Sequence, residues 1–213
     1  MEATVVNVPA ITHDLAEDEL LRMPATWDDY FQVLDEADST VTVQFLDGEI
    51  IMSQASRAHE SLVIVLGTLL SMHFIGKPAY DVLGSNVKIV IPNRAGDVNA
   101  DVSVVKEPVL YGETPNGNVS DMRIKNPEIV VEVLSKSTRK FDLEEKLSYY
   151  KLIPSLQYIL FVDQYRPFAS VYARTPVPDE WLNHDYRTLD AVVRMGDVEL
   201  PMTHIYRKIT VTK

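Results

Sequence analysis

The chain has 213 residues, 46% apolar and 24% charged, enough for one domain with a sizeable core. With no cysteine, a disulfide framework, a thiol nucleophile and a thiolate metal site are all excluded, and a cytoplasmic home is expected. The net charge of −11 argues against a nucleic-acid partner, but the whole excess lies in residues 1–60, where Arg22 and Arg57 are the only bases; residues 61–213 hold 18 charges of each sign.

Residues 1–22 read as an irregular acidic lead-in, with neither the basic stretch nor the long apolar core of a signal peptide. Thr26 fits an N-cap, with Asp28 and Asp29 in the first turn of a helix running to about Ala37. Residues 41–46 read as a strand. Asp47-Gly48 is a hairpin turn signal, and residues 49–52 form the returning strand. Residues 55–74 carry Leu62, Val65, Leu66, Leu69 and Leu70 at helical spacing, and Gly76-Lys-Pro78 ends that helix. Its apolar stretch is too short and interrupted to span a bilayer, so no membrane partner is expected.

Strands are then expected at 80–83, leading into 86–91, and at 100–105. Residues 107–126 hold Pro108, Gly112, Pro115 and Gly117 and read as a long loop. Residues 129–134 are almost wholly apolar and β-branched, as in a strand buried on both faces. Ser135 and Ser137 are N-cap candidates for a helix to about Leu152, closed by Pro154. Further strands fit 156–162 and 169–173. The tail from 176 to 213 shows short strand-like pieces and no clear second core. The order gives an α/β or α+β fold with a mixed sheet. The domain plan is a lead-in over 1–22 and one domain over 23–213, with its core at about 26–175 and a β-rich extension at 176–213.

Two carboxylates stand out in this plan. Asp101 opens the run Asp101-Val-Ser-Val-Val105, and Glu132 lies inside Ile129-Val-Val-Glu-Val-Leu134. Burying either is costly without a partner, and one divalent cation is the simplest partner for both. The Val133 carbonyl would add a third oxygen, and a lysine close by would complete a centre for cutting phosphodiesters. The plain structural alternatives are a turn role for Asp101 and a buried salt bridge for Glu132, with Lys146 itself as its partner. For Lys146 the alternative is an i, i+4 pair with Asp142 on a solvated face. The other histidines, His13, His73, His184 and His204, lack metal-ligand spacing. Lys136, Arg139 and Lys140 cluster just after Glu132, as a phosphate contact or as an ordinary solvated face.

The string Asp47-Gly-Glu-Ile-Ile-Met-Ser53 is followed by Ser56-Arg-Ala-His59, Ala100-Asp101 and Val131-Glu-Val-Leu-Ser135. Asp142, Lys146 and Tyr150 then follow at four-residue spacing. In this order the motifs resemble the Uma2 family of endonucleases, within the PD-(D/E)XK, restriction-endonuclease-like superfamily. The resemblance covers residues 27–172. It implies a mixed β-sheet core flanked by helices and Mg²⁺- or Mn²⁺-dependent hydrolysis of DNA phosphodiester bonds. Asp101 matches the first acidic position and Glu132 the second. Lys146 matches a lysine supplied from the following helix, because Leu134 stands where the superfamily motif has its lysine. Glu49 and His59 match further family positions as second-rank participants. A homodimer is plausible on the same ground, since a duplex has two strands to cut.

Two further departures are Ala100 in place of a proline and Gln44 where such sequences commonly carry a glutamate. With Leu134, Gln44 and the acidic balance, a catalytically silent interaction module is one rival reading. A metal-dependent phosphodiesterase acting on a substrate other than DNA is another.

Overall fold

The computed structural model describes residues 15, 19–37, 39–94, 96–114 and 116–207. Most of the expected lead-in lies outside these residues. Its last part is regular, however: β1 (Leu20–Pro24) pairs antiparallel with a later strand, Leu20 opposite Ser53. The Thr26 hydroxyl accepts the Asp29 amide and the Asp29 carboxylate accepts the Thr26 amide, a capping box that starts α1 (Trp27–Glu36). Strands β2 (Thr42–Leu46) and β3 (Glu49–Ser53) form the expected hairpin. Asp47 and Gly48 both have positive φ, +50° and +80°, as a tight hairpin turn requires. Ser56 caps α2 (Arg57–Phe74) by accepting the His59 amide at 3.2 Å.

Next come β4 (Tyr80–Gly84), β5 (Lys88–Ile91), β6 (Gly96–Asn99) and β7 (Val102–Lys106). The expected loop at 107–126 holds two strands instead, β8 (Tyr111–Glu113) and β9 (Val119–Ile124). Their pairing is with each other and with β5, a non-local match that local composition does not display. Strand β10 (Pro127–Leu134) runs into a turn and then a π-helical segment, Phe141–Lys146, that passes directly into α3 (Leu147–Tyr150). The chain closes with β11 (Tyr158–Asp163), β12 (Ala169–Arg174), β13 (Trp181–Tyr186), the hairpin β14 (Val192–Met195) and β15 (Val198–Pro201), and α4 (Met202–Ile205).

These strands make two large mixed sheets. One has the order β13-β12-β11-β10-β7-β4, with β10 and β11 parallel; the other has the order β1-β3-β2-β6-β5-β9-β8. The neighbours β4 and β5 therefore belong to different sheets. Side chains alternate along β10. Ile129, Val131 and Val133 pack with Leu62, Leu66 and Leu70 of α2. Val130 and Leu134 point the other way, toward Phe141, Tyr150 and the inner face of the second sheet. The tail does not stand apart from the core. Val193, Met195, Val198, Leu200 and Met202 close the α2 side of the first sheet. A third cluster holds α1 against the outer face of β2 and β3.

Candidate active site

Glu132 is the polar member of the β10 face that carries Val130 and Leu134, so strand alternation aims it between the two sheets. The π-helical turn and α3 cross above it. Their spacing brings Asp142, Lys146 and Tyr150, all buried, to the same place. The Lys146 ammonium lies 2.6 Å from Glu132 Oε1, donates to the Asn99 carbonyl at 2.7 Å and stands 3.6 Å from Asp142 Oδ1. The Tyr150 hydroxyl donates to the same Glu132 oxygen at 2.6 Å.

Asp101 sits in the bend between β6 and β7. The last register pair of β7 and β10 is Val102 with Val131, and beyond it β10 has lost its strand partner on that side. The Asp101 carboxylate takes over there, accepting the Val133 amide at 2.6 Å. On the same oxygen stands His59 Nε2, at 3.2 Å, placed by the first turn of α2. Asp101, Glu132, Asp142, Lys146, His59 and Gln44 all line one cavity of about 60 Å³. That is room for a small ion and a few waters, not for a nucleotide.

Four carboxylates line this cavity, Glu60, Asp101, Glu132 and Asp142, and they face two cations, His59 and Lys146. Burial pushes Glu132 up to about 8, with the Asp142 and Asp101 charges adding to the effect and Lys146 opposing it. Burial also raises Asp142. In Asp101, burial is outweighed by His59 and by the Val133 amide, so its pKa is lowered. Burial disfavours charge on His59, but the Asp101 carboxylate wins and raises the imidazole to about 9. Lys146 follows the same logic: burial opposes its charge, and Glu132 and Asp142 raise it nonetheless. With every carboxyl ionised the cavity would be short of positive charge, and Glu132 and Asp142 accordingly hold their protons more tightly than free carboxyls do.

The Uma2 family model, described as "Putative restriction endonuclease", matches residues 27–202. The chain belongs to the Uma2 family. The uncharacterized protein sll1609 of Synechocystis sp. (strain ATCC 27184 / PCC 6803 / Kazusa) is 33% identical over 131 residues, 61% of this chain and 71% of that protein. A second, slr1290 of the same organism, is 31% identical over 148 residues, 69% of this chain and 73% of that protein. The fold matches the crystal structure of "a putative nuclease belonging to DUF820" from Anabaena variabilis ATCC 29413, with a TM-score of 0.68 at 14% identity, covering 86% of this chain and 98% of that one. Among the described residues no helix is long and apolar enough to cross a membrane.

Four of the Uma2 positions expected from the sequence, Asp101, Glu132, Lys146 and His59, meet in the cavity, together with the Val133 backbone. Glu49 does not line it. It lies on the β3 face that carries Ser53, a cavity residue, but four residues further along, about 13 Å at strand rise. There it binds Arg22, which also holds Glu145 at 2.6 Å. Lys146 is no surface partner of Asp142, since both are buried.

Sequence reasoning placed one contributor without its role and missed another. Tyr150 stands in the motif at a spacing of four from Lys146, which places both on one helix face, but its hydrogen bond to Glu132 emerges only in the fold. Asn99 carries no signal of its own, because it acts through its backbone. Its amide donates to Gln44 Oε1 at 3.0 Å and its carbonyl holds Lys146.

Among the described residues no three His, Asp or Glu side chains converge as a ready metal-ligand set. The donors that do face the cavity are carboxylate oxygens, in a site that would be short of positive charge with every carboxyl ionised. That set fits a hard cation such as Mg²⁺ or Mn²⁺, which takes one or two carboxylates and keeps waters for its other positions.

Proposed function

We propose that this Uma2 protein is a metal-dependent endonuclease that hydrolyses DNA phosphodiester bonds. The observation that carries the reading is the meeting of Asp101, Glu132 and Lys146, from three separate stretches of chain, in one small polar cavity. Asp101 and Glu132 would hold Mg²⁺ or Mn²⁺, with the Val133 carbonyl as a further oxygen. When bound, the ion supplies Lewis-acid polarisation of a phosphoryl oxygen and a water of lowered pKa.

The protein's own groups do the rest. Lys146 carries a fixed positive charge, held by Glu132 and by the Asn99 carbonyl, where charge develops on the phosphate. His59 and the Val133 amide orient Asp101 together, both through the same carboxylate oxygen. Tyr150 holds one Glu132 oxygen and leaves the other for the cavity. The cavity excludes a nucleotide, so the scissile phosphate approaches its mouth from outside. A duplex has two strands to cut, which favours a homodimer acting in the cytoplasm.

The test is cleavage of supercoiled and linear DNA with Mg²⁺ or Mn²⁺, comparing wild type, Asp101→Ala and an EDTA control. Cleavage abolished by both controls supports the reading. A folded wild type that leaves DNA intact but hydrolyses bis(4-nitrophenyl) phosphate with Mn²⁺ would move the substrate away from DNA. Inactivity on both would point to the silent interaction module.

A further inference from the structure

The first 60 residues carry the whole negative excess of the chain, yet a knot of cations gathers beside the cavity. It is built by two turns. One, after β10, carries Lys136, Arg139 and Lys140; the other, after β11, carries Arg166. Arg187 joins them from just beyond β13. The structure joins these separate pieces through two aromatic rings and one acid. Lys136 Nζ lies 5.4 Å over the Tyr165 ring. The guanidinium carbons of Arg139, Arg166 and Arg187 lie 6.0, 5.7 and 5.0 Å from the Phe168 ring centre. Arg139 and Arg166 share buried Asp163, at 2.7 and 3.3 Å.

Among the described residues the acids that face this group are Asp163, Asp185, 2.6 Å from Arg187, Glu144, 4.0 Å from Lys140, and Glu145, which feels the Lys140 charge and is itself paired with Arg22. Five cations meet four carboxylates, one of which, Glu145, is already held by Arg22, so the knot is net positive. Its side chains reach water: Lys140 is 80% exposed, Arg187 64% and Arg166 62%. Stacking on aromatic faces holds guanidinium groups in place while leaving their N–H edges free to donate.

The knot also adjoins the cavity. The turn that bears Lys136 and Arg139 contains Ser135 and Thr138, both of which line it. The turn that bears Arg166 contains Gln164, which donates to the Tyr165 hydroxyl at 2.7 Å and accepts from cavity-lining Ser56 at 3.3 Å. Cations fixed on one rim of a site too small for a nucleotide suit a polyanion lying across its mouth.

We infer that this surface, Lys136, Arg139, Lys140, Arg166 and Arg187, is the seat of the DNA backbone, gripping phosphates next to the one to be cut. The inference rests on the nuclease reading of the adjoining cavity. The contacts go to phosphate, so they confer position and affinity rather than sequence preference. Each neutralised phosphate releases condensed counterions, which makes binding through this surface steeply salt-dependent.

The test is fluorescence anisotropy of a short labelled DNA duplex in EDTA, across a salt titration, so that binding is read without cleavage. The triple variant Lys136→Gln, Lys140→Gln, Arg166→Gln removes three phosphate contacts. Its affinity at moderate salt should fall by about tenfold or more, and the slope of log K against log salt should fall by roughly 2–3. The single Lys140→Gln variant, at a position 80% exposed, should show a smaller loss in the same direction. Lys106→Gln, at the far end of β7 from Asp101, should bind as wild type does. A triple variant with wild-type affinity and slope overturns the proposal and leaves the cavity's chemistry standing. A wild type that binds no duplex even at low salt also overturns it. In that case hydrolysis of bis(4-nitrophenyl) phosphate by the wild type decides separately whether the phosphodiester chemistry survives.

Discussion

Lys146 and Glu132 form an ion pair at 2.6 Å in which each side chain is only 3% exposed, and the Asn99 carbonyl and the Tyr150 hydroxyl complete its hydrogen bonding. A buried pair of this kind contributes little net stability, yet removing one partner leaves the other charge uncompensated. Replacing Lys146 by Met should therefore destabilise the protein by about 3 kcal/mol. The double variant Glu132→Gln, Lys146→Met should recover much of that loss while remaining inactive. Urea unfolding of the three proteins checks both statements, and additive losses would show that the two side chains are not coupled.

The His59–Asp101 contact makes stability depend on pH. The folded pKa of His59, about 9, lies above its ordinary value of 6.5. Its contribution is thus fully present below pH 6.5 and is lost as pH rises through about 9. Glu132, raised to about 8 from 4.5, adds a decline of the same sign at lower pH. His59→Gln keeps the Glu132 contribution and removes that of His59. The stability gap between wild type and His59→Gln should be largest near pH 6, at most about 3 kcal/mol, and should close by pH 9 to 10. Denaturant unfolding at a series of pH values measures it, and a gap that does not change with pH would contradict the assignment.

Metal should stabilise the fold as well as activate it. A cation between Asp101 and Glu132 relieves the carboxylate crowding and binds the native state alone. Saturating Mn²⁺ should raise the melting temperature by about 5 °C in wild type. Asp101→Asn should show little response. An equal rise in both proteins would place the ion elsewhere.

Gln44 offers a gain-of-function test. Its Oε1 accepts the Asn99 amide at 3.0 Å, and its side chain lines the cavity. Gln44→Glu keeps that acceptor and adds negative charge beside the carboxylates proposed to hold the metal. The nearby Lys88 ammonium, which donates to the Asn99 side chain at 2.7 Å and whose pKa burial lowers to about 8, gains a counter-charge. Mn²⁺ affinity should rise by a factor of about 5, from a coupling near 1 kcal/mol. The metal concentration giving half-maximal cleavage is the readout, and an unchanged or higher midpoint would count against a metal-side role for this position.

The site was legible wherever its residues announce themselves locally. A Glu inside an Ile-Val-Val-Glu-Val-Leu run must face a core or a cleft, and four-residue spacing puts Lys146 and Tyr150 together whether the segment is α- or π-helical. Asn99 was hidden because any residue has a carbonyl, and only the turn of the neighbouring chain aims this one at Lys146. Glu49 follows a strong turn signal, but its distance along β3 from Ser53 and its attachment to Arg22 emerge only once the strands are paired.

By itself the sequence determined the capped helices, the Asp-Gly hairpin, the doubly buried strand β10 and the family, because caps, turns and periodicity are written within a few residues of one another. Tertiary structure alone decided that β4 and β5 part into different sheets, that 111–113 and 119–124 pair as strands, and that the tail closes the α2 core. It alone gathered Arg139, Arg166 and Arg187 around Phe168. Strand partners and surface neighbours are chosen by burial and hydrogen bonding between segments far apart in the chain, and no local pattern encodes that choice.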